Sequence, residues 1–195
     1  MKKLFLLAAT GLLFAACQKN EQQPQTYTVN EASSRIEWKG SAPDHFHVGS
    51  FDVNGSFSTG SDGLINAGSF TIPIASIKDF DLPDNVKPVL LADLKDNFFK
   101  VATHPNASFK ITSVKAVAAS KDSCLLTGDF TMLGQTHPIS FPASIKAIGD
   151  SIKTEAKFNL NRLTWGMNNY SDASQKLYIL PEINLSLHIR AARKK

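Results

Sequence analysis

The sequence predicts an all-β fold: one antiparallel sheet, closed or sandwiched, with a single short helix. Three observations predict it. Apolar and polar residues alternate at period two in about eight segments between Tyr27 and Ile189. Short turns join most of those segments, a spacing that suits a single barrel or sandwich. Only Val86 to Phe99 carries a helical period. No unit of about 20–50 residues repeats, which argues against a solenoid or propeller, and no composition break divides the chain after its first 25 residues.

The elements follow in order. Ile36, Trp38 and Gly40 alternate with Arg35, Glu37 and Lys39, as in a strand buried on one face. Phe51, Val53, Gly55 and Phe57 form the next strand, with Asp44-His45-Phe46-His47 read as a solvated loop before it. Phe70, Ile72 and Ile74 continue, and Pro73 predicts a sheet edge or bulge there. Leu90, Leu94 and Phe98 recur at helical spacing within 86–99, and Pro88 sits where a first helical turn tolerates it. Phe109 and Ile111 open another strand, and Leu126, Gly128, Phe130 and Met132 share one face of the next. Gly134-Gln135-Thr136 turns the chain into Ile139, Phe141, Ala143 and Ile145. Gly149-Asp150 turns it again into Ile152, Thr154, Ala156, Phe158 and Leu160, and Ile183 to Ile189 supplies the last strand.

A helix crossing an antiparallel barrel serves as lid or plug. Eight strands enclose an interior just wide enough to fill with side chains or to hold one small ligand. Alternation does not separate those cases, since a cavity wall and a packed core both read as apolar. Composition leans toward a lining: Phe numbers 13 against three Tyr and two Trp, and only Phe5 and Phe14 lie in the leader. Phe offers apolar area without a polar handle.

The first 25 residues are of another kind. Lys2 and Lys3 precede an apolar run from Leu4 to Ala16 that is too short to span a bilayer and fits a signal-peptide core. Ala15-Ala16-Cys17 resembles a bacterial lipoprotein processing site, which implies acylation of Cys17 and stable membrane anchoring through several acyl chains. The expected organisation is a signal peptide over 1–16, an acylated Cys and flexible tether over 17–25, the barrel over 26–191 and a basic tail over 192–195. Gln18 is not the Asp that retains enteric lipoproteins at the inner membrane, so the expected location is the outer membrane, facing the periplasm or the cell surface. Cys124 then stands alone and shares an alternation with Leu126 and Phe130, so it reads as a small buried apolar residue rather than a reactive thiol.

The net charge of +4 does not point to nucleic acid. Lys2 and Lys3 belong to the leader, and Arg190, Arg193, Lys194 and Lys195 crowd the end, so the remainder is slightly acidic. Nucleic-acid binding needs basic charge spread over a face.

Four segments, in order, resemble the YceI-like family: Tyr27-Thr28-Val29 with Ser34 to Trp38; Leu94 to Val101 with His104-Pro105 and Phe109; Leu126 to Ile139; and Asn161-Arg162-Leu163-Thr164-Trp165-Gly166-Met167. The resemblance implies a single eight-stranded lipocalin-like β-barrel around a long apolar tunnel. It also implies binding, sequestration or transport of a long-chain lipid such as a polyisoprenoid, an isoprenoid quinone or a fatty acyl chain, with no cofactor and no chemistry. Asp93 stands where many relatives carry His, and the run to Phe98-Phe99 is one residue shorter than usual.

Alternation within that barrel makes Phe51, Phe57, Phe70, Phe109, Phe130 and Phe158 the expected tunnel lining, with Leu94, Phe98, Phe99 and Trp165 at or near the lid. Polar contacts at the mouth are expected from His45, His47 and Arg162. His45 and His47 would share a face if extended, but two imidazoles fall short of the four ligands of structural zinc, so no metal is expected. No nucleophile elbow, phosphate loop or zinc-protease helix is present. The sequence leaves open a periplasmic enzyme acting on an isoprenoid or acyl substrate, a surface module with a filled barrel and loops such as 168–174, and a homodimer.

Overall fold

The computed structural model describes residues 23–61, 64–117 and 122–194. The expected signal peptide and Cys17 lie outside them. Eleven strands form one sheet: β1 (Gln25–Val29), β2 (Arg35–Ser41), β3 (Phe46–Phe51), β4 (Asn54–Thr59), β5 (Ile65–Pro73), β6 (Lys78–Asp79), β7 (Asn106–Ala116), β8 (Ser123–Met132), β9 (Gln135–Ile148), β10 (Ser151–Asn161) and β11 (Glu182–Arg193). All pairings are antiparallel, and β1–β4–β5–β7–β8–β9–β10–β11 closes back onto β1. The molecule is therefore a closed eight-stranded barrel.

Eleven segments make eight staves because the first three staves are each broken once, at one level. A 3-10 turn at Glu31–Ser33 separates β1 from β2, Asp52 and Val53 separate β3 from β4, and a second turn at Ile74–Ser76 separates β5 from β6. Below the breaks β1, β4 and β5 pair in sequence; above them β2, β3 and β6 do. The unbroken β11 spans both levels, pairing Ala191 to Arg193 with β1 and Asn184 to His188 with β2.

Interrupted ladders leave backbone groups that need partners, and serines supply them. Ser34 Oγ accepts from Arg190 N at 2.9 Å and donates to Arg190 O at 3.1 Å. Asp52 N donates to Ser76 Oγ at 3.0 Å. The sequence reading of 51–57 as one strand misses this break because Phe51, Val53 and Phe57 stay buried across it.

Three further expectations are corrected. Phe46 and His47 belong to β3, not to a loop; Gly40 and Ser41 pair with them. Pro73, by contrast, keeps its expected edge: it is the last residue of β5 and pairs with Asn106 of β7 alone, because the ladder to β4 stops at Thr71. Ala192 and Arg193 are strand rather than solvated tail; Arg193 ion-pairs with Asp150, and Lys194 N donates to Thr26 O at 2.8 Å. Gln25, expected in the tether, begins β1.

The helical stretch is α1 (Lys87–Asp93), continued by one π turn over Leu94–Phe98. Pro88 occupies its first turn, where no intrahelical donor is needed. The π turn shifts the register by one residue, so that Leu94, Phe98 and Phe99 all face the barrel interior. Cys124 is a buried free thiol, and burial raises it above its ordinary pKa, as a structural cysteine requires.

Candidate functional site

The interior contains an apolar cavity of about 210 Å3, larger than the ~150 Å3 engineered cavities that stay dry and admit benzene. Its walls come from every stave, because alternate residues of each strand point inward.

Nine of the ten apolar residues expected from the sequence line it. Phe51, Phe57, Phe70 and Phe109 do so from β3, β4, β5 and β7. Phe130 and Phe158 do so from β8 and β10. Leu94, Phe98 and Phe99 close it from the helical segment, with Leu90 of α1 beside them. Phe99 packs edge-on against Phe51 at 5.5 Å between ring centres, and Phe98 tilts against Tyr170 at 5.7 Å. The segment is a lid resting on both the barrel and the loop after Gly166.

Trp165 does not line the cavity. It is buried behind the wall, its indole N–H donating to Phe130 O at 3.1 Å and its ring edge-on to Phe130 and His137, each at 5.3 Å. A buried indole N–H needs an acceptor, and the β8 carbonyl holds it outside.

Alternation also picked out Phe141 and Trp38 as strand residues without assigning them to the site, yet both line it. Phe141 stacks on Phe158 at 4.1 Å and tilts against Phe109 at 5.7 Å. Tyr27, Phe57 and Phe70 form a second run at 5.3 and 6.3 Å. A missing side chain makes room for the first. The Phe109 ring lies over Gly128, where a Cβ would come within 2.4 Å of Phe109 Cζ and 2.5 Å of Lys110 O.

The polar lining is sparse and, apart from Thr154 within β10, lies where chains enter or leave strands. His45 and His47 line the cavity from the start of β3. His45 Nδ1 meets Asp44 Oδ1 at 2.6 Å and His47 Nδ1 meets Asp81 Oδ2 at 2.8 Å.

Arg162 is 1% exposed and lines the cavity as well. Its guanidinium donates to carbonyls only: Leu180 O at 3.2 Å, Ile179 O at 2.8 Å, Tyr170 O at 3.4 Å, and Met167 O. Burial lowers its pKa, and its Cζ lies 5.8 Å from the Phe98 ring centre. Arg162 thus staples residues 167–180 to the barrel end and supports the lid, using the fork of donors that lysine lacks.

Comparison with known proteins agrees with this geometry. Residues 27–191 match the YceI-like domain, and the chain belongs to that family. Its fold is that of Burkholderia cenocepacia BcnA, with a TM-score of 0.68 and 16% identity over 84% of this chain and 99% of that one. A polyisoprenoid binding domain from Saccharophagus degradans, implicated in plant cell wall breakdown, aligns with a TM-score of 0.68 and 12% identity over 87% and 99%. The Campylobacter jejuni YceI protein gives 0.55 and 16% over 100% and 99%. No curated protein matches significantly.

Proposed function

We propose that this protein binds a long-chain lipid, a polyisoprenoid or comparable amphiphile, inside the barrel and holds it without chemical change. The observation that carries the reading is the cavity itself, walled by aliphatic and phenylalanine side chains from all staves and capped by an apolar lid. The polyisoprenoid binding domain of Saccharophagus degradans supports it as a protein of the same fold.

The physics favours such a ligand. Each methylene withdrawn from water contributes about 0.8 kcal/mol, so a few isoprene units offset the cost of immobilising a chain. One extra methylene discriminates weakly in an apolar pocket. Selection therefore rests on cavity length and on His45, His47 and Arg162.

The two tryptophans provide a built-in test. Trp38 lines the cavity and Trp165 does not. In a Trp165→Phe variant, titration with a polyprenol should give a saturable one-to-one change in Trp38 fluorescence. In Trp38→Phe, the remaining Trp165 signal should change little. No response from Trp38 in a folded protein contradicts lipid binding in this cavity.

We further propose export and anchoring through acylated Cys17, on the strength of the Lys2 to Cys17 pattern. Incorporation of labelled palmitate that is lost in Cys17→Ser is the expected result.

A further inference from the structure

Beside the cavity mouth lies a second cluster of polar groups, of which the lipid reading uses only His47. β6 pairs with β3 through Gly49↔Asp79 and Ser50↔Lys78. Because alternate residues share a face, His47, two before Gly49, and Asp81, two after Asp79, come to the same place as Asp79. One ligand-type atom from each of His47, Asp79 and Asp81 lies within 4.8 Å of the other two. Gly49 makes the approach possible: a Cβ there would sit 1.8 Å from Lys78 O.

The carboxylates are fixed from behind. Asp81 Oδ1 accepts from Val48 N at 2.7 Å, leaving Oδ2 toward His47. Asp79 Oδ1 accepts from Leu82 N at 2.9 Å. Asp79 is only 4% exposed, yet its Oδ2 has no hydrogen-bond partner. A bare buried carboxylate oxygen carries a desolvation cost that a cation removes.

We propose that His47, Asp79 and Asp81 bind a divalent transition-metal cation of the zinc class at the rim of the barrel. One imidazole and two carboxylates match the charge of such an ion, and the imidazole nitrogen favours it over magnesium or calcium. Three protein ligands leave a position open in a four-coordinate site. The His45 ring, 5.5 Å from that of His47 and exposed enough to turn, is the nearest further donor. Zinc bonds of about 2.0–2.1 Å put tetrahedral ligand atoms ~3.3 Å apart. The half-exposed side chains of His47 and Asp81 must therefore shift to close the set around buried Asp79. The ion would pin β6 to β3 at the start of the segment that leads into the lid.

A competitor for the Asp79 oxygen is the Trp38 indole N–H. It too is buried without a partner, and Trp38 and Asp79 both pair with Gly49. The test is calorimetric titration of the chelator-treated full protein with Zn2+, Mn2+ and Mg2+, read beside the melting temperature. The proposal expects one Zn2+ per chain at micromolar or tighter affinity, weaker Mg2+ binding and a higher melting temperature with Zn2+. Asp79→Asn should weaken Zn2+ at least tenfold while His104→Gln leaves it unchanged. Should Asp79→Asn fail to fold, His47→Gln and Asp81→Asn at the rim carry the same expectation. Millimolar Zn2+ affinity, or equal affinity in the folded variants, would overturn the site and leave Asp79 to the indole. The lipid titration is a separate readout, so failure here leaves the lipid reading standing.

Discussion

Gly128 shows at the scale of one residue how the cavity is shaped by what is left out. Phe109 occupies the space of the absent side chain, with ring and backbone too close for a methyl group. Gly128→Ala should force Phe109 off its wall position and cost about 1–3 kcal/mol of stability, the usual cost of overpacking. Denaturant unfolding measures the stability, and weaker polyprenol uptake should accompany its loss. Single residues were also where the sequence was read best and worst. Alternation found Phe51, Phe57, Phe70, Phe109, Phe130 and Phe158 because a barrel strand has one inward face. It misplaced Trp165, since a 3-10 turn has no two-residue period and nothing local shows that the indole reaches the Phe130 carbonyl. Asp79 and Asp81 were invisible as partners of His47, because 32 and 34 residues of chain separate them from it and only the β3–β6 pairing brings them together.

Between elements, the outer face of β10, β11 and β2 carries a charged ladder. His188 on β11 lies between Glu155 on β10, at 2.5 Å, and Glu37 on β2, at 3.3 Å; Arg190 and Arg35 complete it. Burial alone would raise the Glu155 carboxyl, but hydrogen bonds from Arg190, Lys153 and His188 outweigh it and hold the group below its ordinary pKa. For Glu37, burial is likewise outweighed by Arg35 and His188. A carboxyl lowered in the folded state stabilises above its unfolded pKa, and that contribution disappears as pH falls through the folded value. Stability should therefore drop on acidification below about pH 4.3, the ordinary glutamate value, and Glu155→Gln should flatten that drop in melting curves taken from pH 3 to 7. Most strands were legible from period two, and so was the helix from Leu90, Leu94 and Phe98, but β1, the start of β3 and the two-residue β6 were not. The breaks at 30–34, 52–53 and 74–77 were not, because their bonds are made by Ser34 and Ser76 to residues far along the chain.

Taken whole, the molecule is a barrel whose long β11 closes onto both levels of a broken first stave, leaving an apolar interior under a helical lid. Closure pairs every long strand on both sides, while the two-residue β6 pairs with β3 alone, and the one described cysteine is buried and free. Barrel or sandwich, and filled or hollow, were the two questions alternation left open, since the first depends on whether the first and last strands meet and the second on packing that a cavity wall and a filled core share in pattern. The β1–β11 pairing answers the first and the Phe-lined cavity the second.

The central claim is that the cavity holds a lipid chain intact. Native mass spectrometry of the protein purified from its producing cells, with organic extraction of the same sample, tests it most directly. The account predicts a stoichiometric adduct recovered as one unmodified long-chain lipid. A clean unliganded mass that also takes up no polyprenol or fatty chain on titration would contradict it.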